Sequence, residues 1–305
     1  MTLISLLPSA TEIVFALGLG DQLLGRSHRC DHPDEVTVLP VLTAVSAGGA
    51  SAVDFDLLAA LRPDVVLAGG EEDPGPSGCA QVRVALRARG LAPTVVGLDP
   101  RTVEGIFNSI STVGAFAEAE DEAVGLIELL RERLGRLENR ILERRLQGIP
   151  SRRVVVLEAT HPPRRSGRWV PEMVRRAGGW ELLGREGEEP GETSWEDIRE
   201  VEPEVIVLAL PDGDAAEAAR ELEAAALPAW FDGLEAVREG ELFAVDGAGL
   251  VHRPGPRVID GIAVLAELFD PEAFAGARPA GAWIPLGPMG IRTGGGSGPD
   301  DRPGT

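Results

Sequence analysis

Residues 116–146 read FAEAEDEAVGLIELLRERLGRLENRILERRL. Within them Ile127, Leu130, Leu134, Leu137 and Ile141 recur at spacings of three and four, embedded in Glu and Arg. That period gathers the apolar side chains onto one stripe of a helix, and Gly148 and Pro150 close it. The pattern predicts a single amphipathic helix over 116–146, which at about 1.5 Å per residue spans roughly 45 Å. Such a helix runs along a whole domain face, so it divides the chain into two halves and bridges them.

Both halves alternate buried strands with helices. In the first, Leu3 to Leu7 reads as a strand, Pro8 as a turn and Ile13, Val14 and Leu17 as a helix. Ser9 is placed to cap that helix, with Glu12 completing a capping box. A helix over 54–61, a strand at 65–67, a helix over 80–89 and a strand at 94–96 follow. In the second half, strands at 154–157, 205–210 and 242–245 alternate with helices over 171–177, 214–225 and 256–268. Short connections between alternating strands and helices imply parallel sheets. The fold class is α/β, with two Rossmann-like lobes bridged by one long helix. The divisions fall at 1–113 for the first lobe, 114–149 for the link, 150–285 for the second lobe and 286–305 for a polar tail expected to be disordered. The halves also echo each other: Leu61-Arg62-Pro63-Asp64-Val65 returns as Val201-Glu202-Pro203-Glu204-Val205.

Composition narrows the function classes. Forty-nine acidic residues against 29 basic ones give a formal net charge of −20, which excludes a polyanion such as nucleic acid as the expected partner. All the basic residues are Arg; without Lys there is no Schiff-base chemistry and no P-loop lysine. No apolar run approaches the roughly 20 residues of a membrane-spanning helix, and no Gly-x-Ser-x-Gly elbow, His-Glu-x-x-His helix or dinucleotide fingerprint occurs. Two cysteines, Cys30 and Cys79, make no disulfide framework. The chain passes from Met1 directly into its first strand without a secretory leader, so as written it is expected in the cytoplasm, with a periplasmic or extracytoplasmic site as the alternative.

Three segments resemble the opening of the cobalamin and iron-chelate substrate-binding family of bacterial ABC importers: Pro8-Ser9-Ala10-Thr11-Glu12, Arg26-Ser27-His28-Arg29-Cys30-Asp31-His32-Pro33 and Arg62-Pro63-Asp64. The resemblance continues through Gly167-Arg168-Trp169-Val170-Pro171-Glu172, Ser194-Trp195-Glu196-Asp197 and Ala244-Val245-Asp246-Gly247 to Arg253-Pro254-Gly255-Pro256-Arg257, covering about residues 2–275 in order. It is nearest to the cobalamin-binding branch, in which a Ser-His-x-Cys-Asp segment and a Cys-Ala segment, here Cys79-Ala80, recur. The resemblance implies the helical-backbone (class III) periplasmic-binding-protein fold and a monomer without enzymatic activity or required cofactor. It further implies that a corrinoid, a cobalt chelate such as vitamin B12, lies between the lobes, and that an ABC permease is met by rim carboxylates, for which Glu71, Glu72 and Asp73 are candidates.

The candidate ligand contacts are Pro8, Ser9, Ala10 and Thr11 at the carboxyl end of the first strand, then His28, Cys30, Cys79, Trp169, Ser194 and Arg253. Trp169 is either a stacking ring or a packing anchor, and Arg253 either faces the ligand or joins a surface ion pair. The sequence has no Tyr, so the aromatic complement for a corrin is thin, and haem or a ferric siderophore stays open. Two further alternatives are free Zn or Mn held by His28, Cys30 and Cys79, and a hydrolase pairing Ser9 with His28.

Overall fold

A computed structural model describes residues 1–45, 51–276, 279 and 281–287. The first lobe runs β1 (Leu3–Ser5), α1 (Pro8–Ala16), β2 (Leu23–Gly25), β3 (Thr43–Val45), β4 (Ser51–Val53), α2 (Phe55–Leu61), β5 (Val65–Gly69), α3 (Cys79–Arg87), β6 (Thr94–Leu98) and α4 (Val103–Phe116). Four parallel strands lie in the order β2-β1-β5-β6, with β3 and β4 as a separate antiparallel pair. The connector is α5 (Glu120–Leu146). The second lobe follows with β7 (Arg152–Thr160), β8 (Pro163–Arg165), α6 (Val170–Arg176), β9 (Gly179–Glu181), β10 (Gly191–Glu192), α7 (Trp195–Glu200), β11 (Val205–Ala209), α8 (Ala215–Ala224), α9 (Glu235–Arg238), β12 (Leu242–Val245), α10 (Val258–Phe269), α11 (Pro271–Phe274) and β13 (Trp283–Pro285).

The α/β architecture with two lobes and a bridging helix is as the sequence predicts, with three differences. The helix expected over 116–146 is two helices, because Glu118 adopts a left-handed φ of 54° between α4 and α5. The second sheet is parallel only in its centre, β9-β7-β11-β12; β8, β10 and β13 add antiparallel strands. The first helix starts at Pro8, with Leu7 as its cap and no side-chain capping bond, so Ser9 does not cap it and Glu12 is released for another role. Apart from Leu286 and Gly287, the tail expected over 286–305 lies outside the described residues.

The echo between the halves has a structural cause. Arg62 and Glu202 both take left-handed φ values, 48° and 47°, at the turn before a central strand, and Pro then blocks any return to helix. The acid that follows ties down the neighbouring strand: Thr2 N–H donates to Asp64 in the first lobe, and Arg153 N–H to Glu204 in the second, each at 2.7 Å. One apolar core then runs through both lobes. Leu3, Ile13 and Ile106 of the first, Leu130 and Leu134 of α5, and Val154, Met173 and Ile262 of the second belong to one buried cluster.

Candidate functional site

The parallel strands of both lobes point their carboxyl ends at a shared crevice, where open α/β sheets place their ligands. A cavity of about 750 Å³ lies there, inside the roughly 300–1,000 Å³ range of small-molecule sites. The first lobe contributes Leu7, Pro8 and Ser9 after β1, Gly69, Gly70 and Glu72 to Pro74 at the end of β5, and Asp99 to Arg101 after β6. From the second lobe come Arg168 and Trp169 ahead of α6, Pro211 and Asp212 after β11, and Ala248 and His252 to Pro254 after β12.

The loop after β12 is held by close packing. Gly247 opens one turn of π-helix, Gly247–Val251, and a Cβ at this position would lie 2.0 Å from the Leu210 carbonyl oxygen, so only glycine fits. The Trp169 indole N–H donates to the Val251 carbonyl at 2.8 Å, and the ring is only 5% exposed. Trp169 thus lines the cleft chiefly as the anchor of the segment that carries His252 and Arg253.

Arg253 sits deep, 8% exposed. Its Nη1 donates to Glu12 at 3.0 Å and to Asp31 at 2.5 Å, both from the opposite lobe. Glu12 also receives Nε and Nη2 of Arg257. Two guanidiniums therefore share two carboxylates at the cleft floor. Partial burial works to raise the Asp31 carboxyl, but the hydrogen bond and charge of Arg253 outweigh it and hold the group below its ordinary value.

The remaining cleft arginines are paired across the lobes as well. Arg29 meets Asp212 at 2.5 Å, Arg101 meets Glu189 at 3.0 Å, and Arg168 meets Asp99 at 2.9 Å. These pairs are a third to more than half exposed, so each contributes little in water. Beside them His252 is buried, and its Nε2 donates to the Ala209 carbonyl at 2.9 Å, which leaves Nδ1 as the acceptor, 3.6 Å from Glu158. Burial lowers the imidazole to about 4 and raises the Glu158 carboxyl to about 7, so both are neutral in mildly acidic solution.

Of the residues singled out from sequence, Pro8, Ser9, Trp169 and Arg253 come together in the cleft. Ala10 and Thr11 are buried behind it, with the Thr11 hydroxyl donating to the Cys30 sulfur at 3.0 Å. Burial raises the thiols of Cys30 and Cys79, and both are free. The His28 ring contacts the Thr43 hydroxyl, while Ser194 caps α7 in a capping box with Asp197. Among the described residues no group of three or more His, Cys, Asp or Glu is disposed to hold a metal ion, so the zinc or manganese set of His28, Cys30 and Cys79 does not assemble. Nor do Ser9 and His28 pair as the hydrolase alternative requires, since the hydrogen-bonding partner of the imidazole is Thr43. Of the rim acids, Glu72 and Asp73 line the cleft, while Glu71 is taken by Arg83. Sequence reasoning missed the cross-lobe roles of Glu12, Arg29, Asp99, Arg101, Glu189 and Asp212, whose partners lie too far along the chain for a local spacing to signal them.

A binding cleft between two α/β lobes on a helical backbone defines a solute-binding protein of the periplasmic type. The chain belongs to the periplasmic binding protein family, whose match covers residues 3–248; it binds its solute and is not an enzyme. It is 27% identical over 281 residues to YvrC, an uncharacterised ABC transporter substrate-binding lipoprotein of Bacillus subtilis strain 168, with 89% of this chain and 81% of the relative covered. It is 22% identical to a vitamin B12-binding protein of Vibrio cholerae, covering 85% and 86%. A crystal structure of a periplasmic heme-binding protein from Pseudomonas aeruginosa superimposes with a TM-score of 0.74 at 24% identity, covering 89% and 93%. These relatives bear out the resemblance to chelate-binding proteins. The first of these is a lipoprotein and the last is periplasmic, which lends no support to the cytoplasmic placement expected from the sequence. No helix among the described residues is long and apolar enough to cross a membrane.

Proposed function

We propose that the chain is the extracytoplasmic substrate-binding component of an ABC importer, that it acts as a monomer, and that it holds a corrinoid in its interlobe cleft. The charge of the cleft lining carries the choice of ligand. Six carboxylates, on Asp31, Glu72, Asp73, Asp99, Glu189 and Asp212, face four guanidiniums, on Arg29, Arg101, Arg168 and Arg253. A lining with excess negative charge suits a chelate whose rim carries amide N–H donors and whose metal is cationic, since each carboxylate accepts such donors without leaving a buried charge unpaired. Pro8 and Ser9 contact the ligand from the first lobe, and Trp169 and Arg253 from the second. Because the lobes share one core, the cleft is largely pre-formed, which lowers the ordering cost of binding.

A second reading is another metal chelate: haem, whose propionates the four guanidiniums suit, or a ferric siderophore. Titration of the purified protein with cyanocobalamin, haemin and a ferric hydroxamate, followed by visible spectra and heats, separates the two. Saturable one-to-one binding of cyanocobalamin is the expected result. Saturation by haemin or the hydroxamate with no response to cyanocobalamin overturns the corrinoid reading in favour of the second.

A further inference from the structure

We infer that Asp31 is a specificity-determining residue: by occupying Arg253 with an internal carboxylate, it excludes chelates whose rim carries carboxylates and admits those whose rim carries amides. The inference rests on the chelate reading of the cleft and deepens it.

Three features of the Arg253 site carry the argument. Arg253 is the least exposed of the cleft guanidiniums, with 8% of its side chain accessible against 32% for Arg168, 44% for Arg101 and 50% for Arg29. Water screens the other three strongly and Arg253 weakly, so Arg253 discriminates most between a charged and a neutral partner. Its two acids also differ. Glu12 is 2% exposed and is engaged by Arg257 through two further bonds, so it is fixed in the floor. Asp31 is 65% exposed, stands on the cleft wall and takes its guanidinium hydrogen bonds from Arg253. Finally, the cluster already balances two positive against two negative charges. A ligand carboxylate that reaches Arg253 must displace Asp31 or add an uncompensated negative charge beside Glu12, whereas an amide carbonyl can accept from the guanidinium edge with Asp31 still in place.

The test uses one macrocycle with two rims, dicyanocobinamide with amides and dicyanocobyrinic acid with carboxylates, titrated into the full chain and its variants. Wild type is expected to bind the amide form and discriminate against the acid. Asp31→Asn, and Asp31→Ala as a variant unable to accept from Arg253, should each shift the affinity ratio toward the acid by about tenfold, the worth of one released charge-assisted bond. Adding Arg253→Gln to Asp31→Ala should abolish that shift. Thermal melts confirm folding, which the exposure of Asp31 favours. An unchanged ratio in both Asp31 variants, or a shift that persists without Arg253, overturns the inference while the corrinoid reading stands. Failure of wild type to bind either form overturns both.

Discussion

At the connector end, Leu130 and Leu134 of α5 sit in an apolar core continuous with both lobes. Across the cleft the lobes meet instead through ion pairs: Glu12 and Asp31 with Arg253, Arg29 with Asp212, Asp99 with Arg168. Apolar contact loses its free energy whenever water is admitted, so that end is the costly one to open. Where such pairs are exposed, as Arg29–Asp212 and Asp99–Arg168 are, they contribute little net stability and can exchange partners. The contrast separates an apolar joint from a surface that a polar ligand can re-pair with, the end at which the proposed function puts recognition.

The comparison breaks first at Glu12. Its carboxylate is buried between two guanidiniums, so Glu12→Ala leaves both uncompensated and should lower unfolding free energy by about 4 kcal/mol in urea titrations; a loss below about 1 kcal/mol would place that cluster with the exchangeable surface pairs. Leu130→Ala, at the apolar joint, should cost about 3 kcal/mol through lost transfer and a residual cavity, and the loss should be insensitive to salt. A strongly salt-dependent loss there would contradict the contrast.

The pH response sharpens the comparison. Glu158 titrates near 7 in the fold against an ordinary 4.5, so its contribution is complete below about 4.5 and is lost as pH rises through 7. His252 works in the opposite sense: titrating at about 4 against an ordinary 6.5, its contribution is complete above 6.5 and is lost as pH falls through 4. Glu158→Gln removes only the first effect. Between pH 4.5 and 7.5 the variant should therefore gain on the wild type by on the order of 2 kcal/mol, read as a widening gap between melting temperatures, and parallel curves would refute the assignment. The smallest effect belongs to Arg29→Ala, which should change stability by less than about 0.5 kcal/mol because its partner Asp212 is well solvated.

The joint was easier to read from sequence than the cleft, for a physical reason. The apolar period of Ile127, Leu130, Leu134 and Ile141 is local, and it placed the connector to within a few residues; the left-handed turn at Glu118 leaves no comparable mark, since Glu is not a residue that favours φ > 0. Glu12 was legible only as a capping-box acid, because three residues to Ser9 is a local spacing, whereas its true partners Arg253 and Arg257 lie more than 240 residues away. The antiparallel additions β8, β10 and β13 are two or three residues long, too short for an alternating pattern. Trp169 and Arg253 were found through family landmarks, yet the pairing that fixes each, with Val251 and with Asp31, belongs to the assembled fold.

The most direct test of a chelate held between the two lobes is amide hydrogen exchange with and without cyanocobalamin. The account predicts slowed exchange in both lobes together, around Ser9, Arg29 to Asp31, Arg101, Trp169 and Ala248 to Arg253, with α5 unchanged. Protection confined to one lobe, or absent at a saturating concentration, would contradict it.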